Sequence, residues 1–284
     1  VYADMSLSRA KSYHDHFAEV ISRETGIKLP SGKKVMIESR LRRRVQSLGF
    51  NSLEDYYRHL FEDGGFGAER DDVIDLITTN KTDFFREPAH FRCLMNDMLP
   101  EILRRKQRLN KPVDVKFWSA ACSDGSEAYT TAMLLEEAVR NGAGFQYAIL
   151  GTDISTRMVE AAKRAIYTTE ALAPVPSALR KRYVMQGHSE DMRGMARIVP
   201  ALRSKANFTH LNLMDDTYPV DQDVDIIFLR NVLIYFEPED QARVIARLAR
   251  HLTPQGYLVV GHSESMTVKQ PNLKQLATAV FQKE

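Results

Sequence analysis

From about residue 111 to the end of the chain, short apolar runs alternate with helical patterns, and this alternation limits the fold more than any other feature. VDVKFWSA reads as a strand, EAYTTAMLLEEAV as a helix, FQYAILG as a strand and STRMVEAAKRAI as a helix. NFTHLNL and VDIIFL are further strands, PEDQARVIARLARHL is a helix, GYLVVG is a strand, and the closing LKQLATAVFQK adds one more strand. Strands and helices alternating at these lengths specify a parallel sheet covered on both faces, which is an α/β doubly wound architecture. Residues 167–206 fit the alternation poorly and read as an inserted subdomain.

The preceding residues have a different period. Phe17, Val20 and Ile21 open one amphipathic segment, and Ile37, Leu41, Val45 and Leu48 keep one helix face apolar. Gly49 ends that helix, Asn51 or Ser52 caps the next, EDGGFG is a loop, and DDVIDLITTN resumes helix. Pro100 marks the first turn of another helix before the polar connector RRKQRLNKP. The chain therefore divides into a helical domain at 1–77, a connecting segment at 78–110 and an α/β domain at 111–284. The opening VYAD carries no weight in this reading.

Composition mainly excludes. A net charge of +2 is too small to demand a nucleic-acid or membrane partner, so any basic surface must be local. Cys93 and Cys122 lie far apart without metal spacing, and the eight histidines include no helical metal pair, so no metal site is expected. A reduced, cytoplasmic setting follows by default. No apolar run reaches the roughly 18 residues that span a bilayer, which points to a soluble protein.

Ligands of open α/β sheets bind beyond the carboxyl ends of the strands, so the residues after each strand are the informative ones. SAACSDGSEAY follows the first strand, with a single glycine, Gly125, and an acid, Glu127, opening the helix. Asp153 follows the second strand, where a carboxylate either accepts both hydroxyls of a ribose or caps the helix near Ser155. Asn212 follows NFTHL, and Arg230 and Asn231 follow VDIIFL at the same end of the sheet. Cys122 reads as a small residue in a tight turn, and His262 as a loop organiser or a proton carrier. There is no GxSxG elbow, Walker loop or HExxH.

TTNKTDFFRE at 78–87, WSAACSDGSEAY at 118–129, GTDIS at 151–155, LNL at 211–213, RNVLIYF at 230–236 and GHSES at 261–265 together resemble the CheR-type chemotaxis receptor methyltransferases. The resemblance implies a Rossmann-like S-adenosylmethionine-dependent methyltransferase domain, a small all-helical N-terminal domain that docks receptors, and an inserted β subdomain. It implies methyl transfer from S-adenosylmethionine to glutamate carboxylates on the cytoplasmic helices of chemoreceptors, leaving S-adenosylhomocysteine. By motif, Asn80, Thr82, Arg86, Glu127, Asp153, Asn212, Leu213, Arg230 and Asn231 match cofactor contacts, and Arg86 and Tyr235 match the catalytic centre. SDGSEAYT departs from the usual STGEEPYS, placing Ser126 for an acid and Ala128 for a proline while keeping Glu127.

A carboxylate with an ordinary pKa near 4.3 is already ionised at neutral pH, so this reaction needs alignment rather than a base. In KKVMIESRLRRR, Arg40, Arg43 and Arg44 form either a solvated helix face or a docking surface for acidic receptor helices, and the resemblance favours docking. Two other readings stay open: a nucleic-acid methyltransferase, for which no NPPY-like motif or aromatic platform is present, and a cofactor-binding regulatory module with impaired catalysis.

Overall fold

The computed structural model describes residues 12–108, 113–187 and 193–284; residues 109–112 of the polar connector, 188–192 of the inserted stretch and the opening VYAD lie outside the described residues. Four helices come first: α1 (Tyr13–Thr25), α2 (Lys34–Ser47), α3 (Leu53–Phe61) and α4 (Phe66–Ile77). Their apolar stripes meet in a separate core built on Phe17, Ile21, Ile37, Leu41, Tyr56 and Val73. Ser52 is the cap of α3, accepting from the Asp55 N–H, and Gly49 takes the left-handed turn after α2.

Next come α5 (Pro88–Cys93) and α6 (Leu99–Gln107), joined through one π-helical turn at Leu94–Met98. Pro100 thus sits in the first turn of α6, as its missing N–H requires, but no loop separates it from the preceding helix.

The α/β domain begins with β1 (Asp114–Ala120), α7 (Ser126–Arg140), β2 (Gln146–Asp153) and α8 (Thr156–Arg164). The inserted unit follows: β3 (Ile166–Thr168), α9 (Ser177–Tyr183), β4 (Val184–Gln186) and β5 (Met195–Ile198), its strands pairing antiparallel in the order β3-β5-β4. After α10 (Pro200–Arg203) the chain re-enters the main sheet through β6 (Ala206–His210), β7 (Val224–Leu229), α11 (Pro238–His251) and β8 (Leu252–Val260). The closing segment is two strands, β9 (Leu273–Ala277) and β10 (Val280–Lys283), rather than one.

The main sheet has the order β6-β2-β1-β7-β8-β10-β9. Its first five strands are parallel, whereas β10 pairs antiparallel with both β8 and β9, so the sheet is mixed. A tight return at residues 278–279, with Ala279 at φ +62°, brings β10 back as a hairpin, which a single apolar run cannot signal. Apolar cores cover both faces, one under α7 and one under α11. The strand order reverses between β1 and β7, and a ligand cleft belongs at that point.

Candidate active site

A cleft opens above the carboxyl ends of β1, β2, β6 and β7. Asn80, Thr82, Arg86, Glu127, Asp153, Asn212, Leu213, Arg230, Asn231 and Tyr235 all line it. Sequence reasoning missed the far wall, made by Ile27, Lys28, Leu29, Lys33 and Met36 of the helical domain. Asn212 ties the two domains together: its Nδ2 donates to the Glu24 carbonyl at 2.6 Å, while its Oδ1 accepts from the Met214 N–H. Gly26, at φ +72° after α1, sits in a backbone conformation that favours glycine, and a Cβ there would lie 2.6 Å from Met214 Sδ.

Asp153 is buried, and its two oxygens accept from the N–H groups of Ser123 (2.8 Å) and Ser155 (2.9 Å). The cap of α8 is the Ser155 hydroxyl, which accepts from Met158, so the helix-cap reading of Asp153 falls. Burial pushes the Asp153 carboxyl above its ordinary value against the pull of those two N–H groups. It lines the cleft and pairs with no cation among the described residues, so its remaining acceptor capacity suits neutral hydroxyl donors. Ile154 and Leu213 add apolar wall beside it. Such a lining fits a nucleoside with a ribose diol. Cys122 is a buried thiol with its pKa pushed well up by burial, which fits a packing role.

Arg230 explains why polar residues interrupt VDIIFL and VLIYF. Only 7% exposed, it donates through Nη1 to Glu127 (2.8 Å) and through Nη2 to the Arg86 carbonyl and to Glu87 (3.1 Å). Glu127 also accepts from the Ser119 hydroxyl at 2.7 Å. Burial raises the Glu87 carboxyl, but the Asn231 amide and the Arg230 guanidinium outweigh it and leave Glu87 below the ordinary glutamate value. Arg230 is thus a clamp that joins β7 to the 78–87 segment and α7. Arg86 donates to the Lys81 carbonyl at 3.0 Å while lining the cleft.

Glu264, in GHSES, sets the loop after β7. It is 1% exposed and accepts from the N–H groups of Gly261 (2.7 Å), Asn231 (2.8 Å) and Ile234 (3.3 Å). Asn231 takes the left-handed conformation at φ +58°, which asparagine tolerates. Gly261 packs so closely that a Cβ would lie 2.7 Å from both Asn231 Nδ2 and Glu264 Oε2. The loop then turns through Leu233–Tyr235, placing Tyr235 with its carbonyl accepting from Lys28 N–H and its ring 5.4 Å from Lys33 Nζ.

Arg40, Arg43 and Arg44 part company. Arg40 donates to the carbonyls of Ile77 and Thr78, both at 3.0 Å, at the end of α4. Arg44 forms a two-pronged pair with the buried Glu69 and also meets Asp72. Both serve the helical domain's own packing, because their stems cross the α2–α4 seam. Arg43 is exposed, as is its neighbour Arg42.

Comparison with known proteins gives the class. Residues 80–281 match the family described as "CheR methyltransferase, SAM binding domain", so the protein is an S-adenosylmethionine-dependent methyltransferase. Residues 15–78 match "CheR methyltransferase, all-alpha domain". A chemotaxis protein methyltransferase of Borreliella burgdorferi is 32% identical over 99% of this chain and 97% of its own. Chemotaxis protein methyltransferase 2 of Pseudomonas aeruginosa is 33% identical (93% and 90%), and the chemotaxis protein methyltransferase of Escherichia coli is 33% identical (92% and 87%). The chain belongs to the CheR family of chemotaxis protein methyltransferases. No helix of the described residues is long and apolar enough to cross a membrane.

Proposed function

We propose that this enzyme esterifies glutamate side chains on the cytoplasmic helices of chemoreceptors, working in the cytoplasm. The observation that carries the reading is the company of Tyr235: Lys33, Lys81 and Arg86 line the same cleft, and no histidine does. Three cations suit a carboxylate acceptor. Of the acids in the lining, Glu127 is held by Arg230 and Ser119 and Asp153 by two backbone N–H groups, while Asp83 is as exposed as Lys81. No histidine lines the cleft to deprotonate an acceptor, and a carboxylate needs no base.

S-adenosylmethionine, when bound, supplies an electrophilic methyl group. Asp153 would take the ribose hydroxyls, Leu213 and Asn212 would flank the base, and Asn80, Thr82, Glu127, Arg230 and Asn231 would shape the pocket for the amino-acid end. Arg86 would hold a carboxylate, and Tyr235 would hydrogen-bond at the reacting centre through its phenol. Residues 78–110 would connect the domains and supply part of this site, with 1–77 docking the receptor and 111–284 holding the cofactor.

The test is incubation with methyl-labelled S-adenosylmethionine and receptor-bearing membranes, followed by base treatment and counting of volatile methanol. Base-labile methanol that depends on the protein supports carboxyl esterification, and its absence with a competent receptor panel sinks it. Tyr235→Phe should lower turnover by roughly 10- to 100-fold while changing cofactor affinity little. An unchanged rate removes Tyr235 from the mechanism.

Docking would use the exposed part of α2. Joint charge reversal at Arg42 and Arg43 should slow receptor methylation at least fivefold at low salt and leave cofactor affinity unchanged by calorimetry. Arg44→Glu should instead cost the helical domain about 3 kcal/mol, since it leaves Glu69 buried without a cation, with only the Tyr56 hydroxyl still donating to it. Equal effects of the two changes on stability would overturn this division.

A further inference from the structure

Glu87, His90 and His262 place three donor atoms within 4.8 Å of one another just behind the cleft. Glu87 Oε2 is 3.2 Å from His90 Nδ1 and 3.6 Å from His262 Nδ1, and the two imidazole rings lie 4.3 Å apart. His90 is 2% exposed, yet neither of its ring nitrogens has a hydrogen-bond partner among the described residues. A buried imidazole with both nitrogens unpaired is costly, and a bound cation would take up the lone pair of one of them.

We propose that Glu87, His90 and His262 form a binding site for a divalent cation of the zinc class, separate from the reaction's own chemistry. Three points support this choice. Two imidazoles and one carboxylate are a donor set that zinc accepts, with the fourth position left to water. Tetrahedral zinc at about 2.1 Å from its ligands separates neighbouring donors by roughly 3.4 Å; two of the three separations here are 3.2 and 3.6 Å, and all three lie within 4.8 Å. His262 is only partly covered, with its side chain 44% exposed, so an ion has a way in.

The neighbouring charge sets the consequence. Arg230 Nη2 donates to the same Glu87 oxygen at 3.1 Å, and Asn231 Nδ2 donates to the other at 3.2 Å. A cation on Oε2 competes with Arg230 for Glu87, while Glu127 retains its hold on Nη1. The site therefore binds more weakly than an isolated pair of histidines and a carboxylate, and its occupancy couples to the wall of the cofactor cleft.

The experiment is zinc chloride titrated into the full chain by calorimetry, together with crystals soaked in zinc and measured at its absorption edge. The expected result is one equivalent bound, an anomalous peak among the three side chains, and at least tenfold weaker binding in His262→Ala. The His262 ring that this variant removes is 44% exposed, and an unchanged metal-free melting temperature verifies that the variant folds. Zinc should raise the melting temperature of the wild type and not of His262→Ala. No saturable binding, binding unaffected by His262→Ala, or a peak at Cys93 or another histidine would each overturn the assignment.

Discussion

Glu264→Ala is expected to lower the free energy of unfolding by about 4 kcal/mol, because several buried N–H groups lose their acceptor at about 1–3 kcal/mol each and water reaches only some of them. The N–H groups are those of Gly261, Asn231 and Ile234, and Glu264 itself is almost fully enclosed. Urea denaturation monitored by circular dichroism measures the loss. The same change should reduce kcat/KM by roughly 100-fold, since the freed loop carries Arg230, Asn231 and Tyr235, and a displacement of about 1 Å at a reacting centre costs that much. Glu264→Gln separates the two components of the argument. Its single carbonyl can keep the Gly261 and Asn231 bonds, but its amide then faces the Ile234 N–H, donor against donor. An intermediate loss is expected. Equal stability of wild type and Glu264→Ala would show that the loop holds its shape through packing of Leu233 and Phe236 alone.

What the sequence made legible follows from how local each signal is. β1, α7, β2 and α8 are read from period and length, because each buries its own apolar pattern. The rule that ligands sit beyond strand ends then collects Glu127, Asp153, Asn212, Arg230 and Asn231 at one cleft without any knowledge of packing. Resemblance added Asn80, Thr82, Arg86, Leu213 and Tyr235, which period alone does not single out. What the sequence left unread is non-local. Arg40 and Arg44 look like surface charge on α2, and only the approach of α4 turns them inward to Glu69 and the end of that helix. The Glu87, His90 and His262 cluster joins two remote segments, so no spacing rule finds it. Glu264 was present in the quoted GHSES, but an acid that accepts only backbone N–H groups leaves no partner residue in the sequence to search for. Lys33 and Met36 reach the cleft only because Asn212 and Gly26 hold the helical domain against the sheet.

Asp153→Ala should weaken S-adenosylmethionine binding by roughly 100-fold, about 2.7 kcal/mol, which corresponds to losing charge-assisted hydrogen bonds from a diol in a buried site. Calorimetry measures it directly, and an affinity within threefold of wild type would remove Asp153 from the cofactor site. Asp153→Asn isolates the charge. Its carbonyl can still accept from one backbone N–H, but its amide must oppose either Ser123 or Ser155 N–H, so a loss of about tenfold is expected together with some loss of stability. The pH dependence gives an independent check. Burial raises the Asp153 pKa in the free enzyme, and hydroxyl donors prefer the ionised carboxylate. Binding therefore favours the deprotonated form, and affinity should fall as pH drops through that raised value, with one proton taken up per site vacated. Asp153→Asn has no such proton to exchange, so its affinity should be flat over the same interval. A wild-type profile as flat as the variant's would mean that Asp153 acts through the Ser123 and Ser155 backbone alone, shaping the turn after β1 rather than touching the nucleoside.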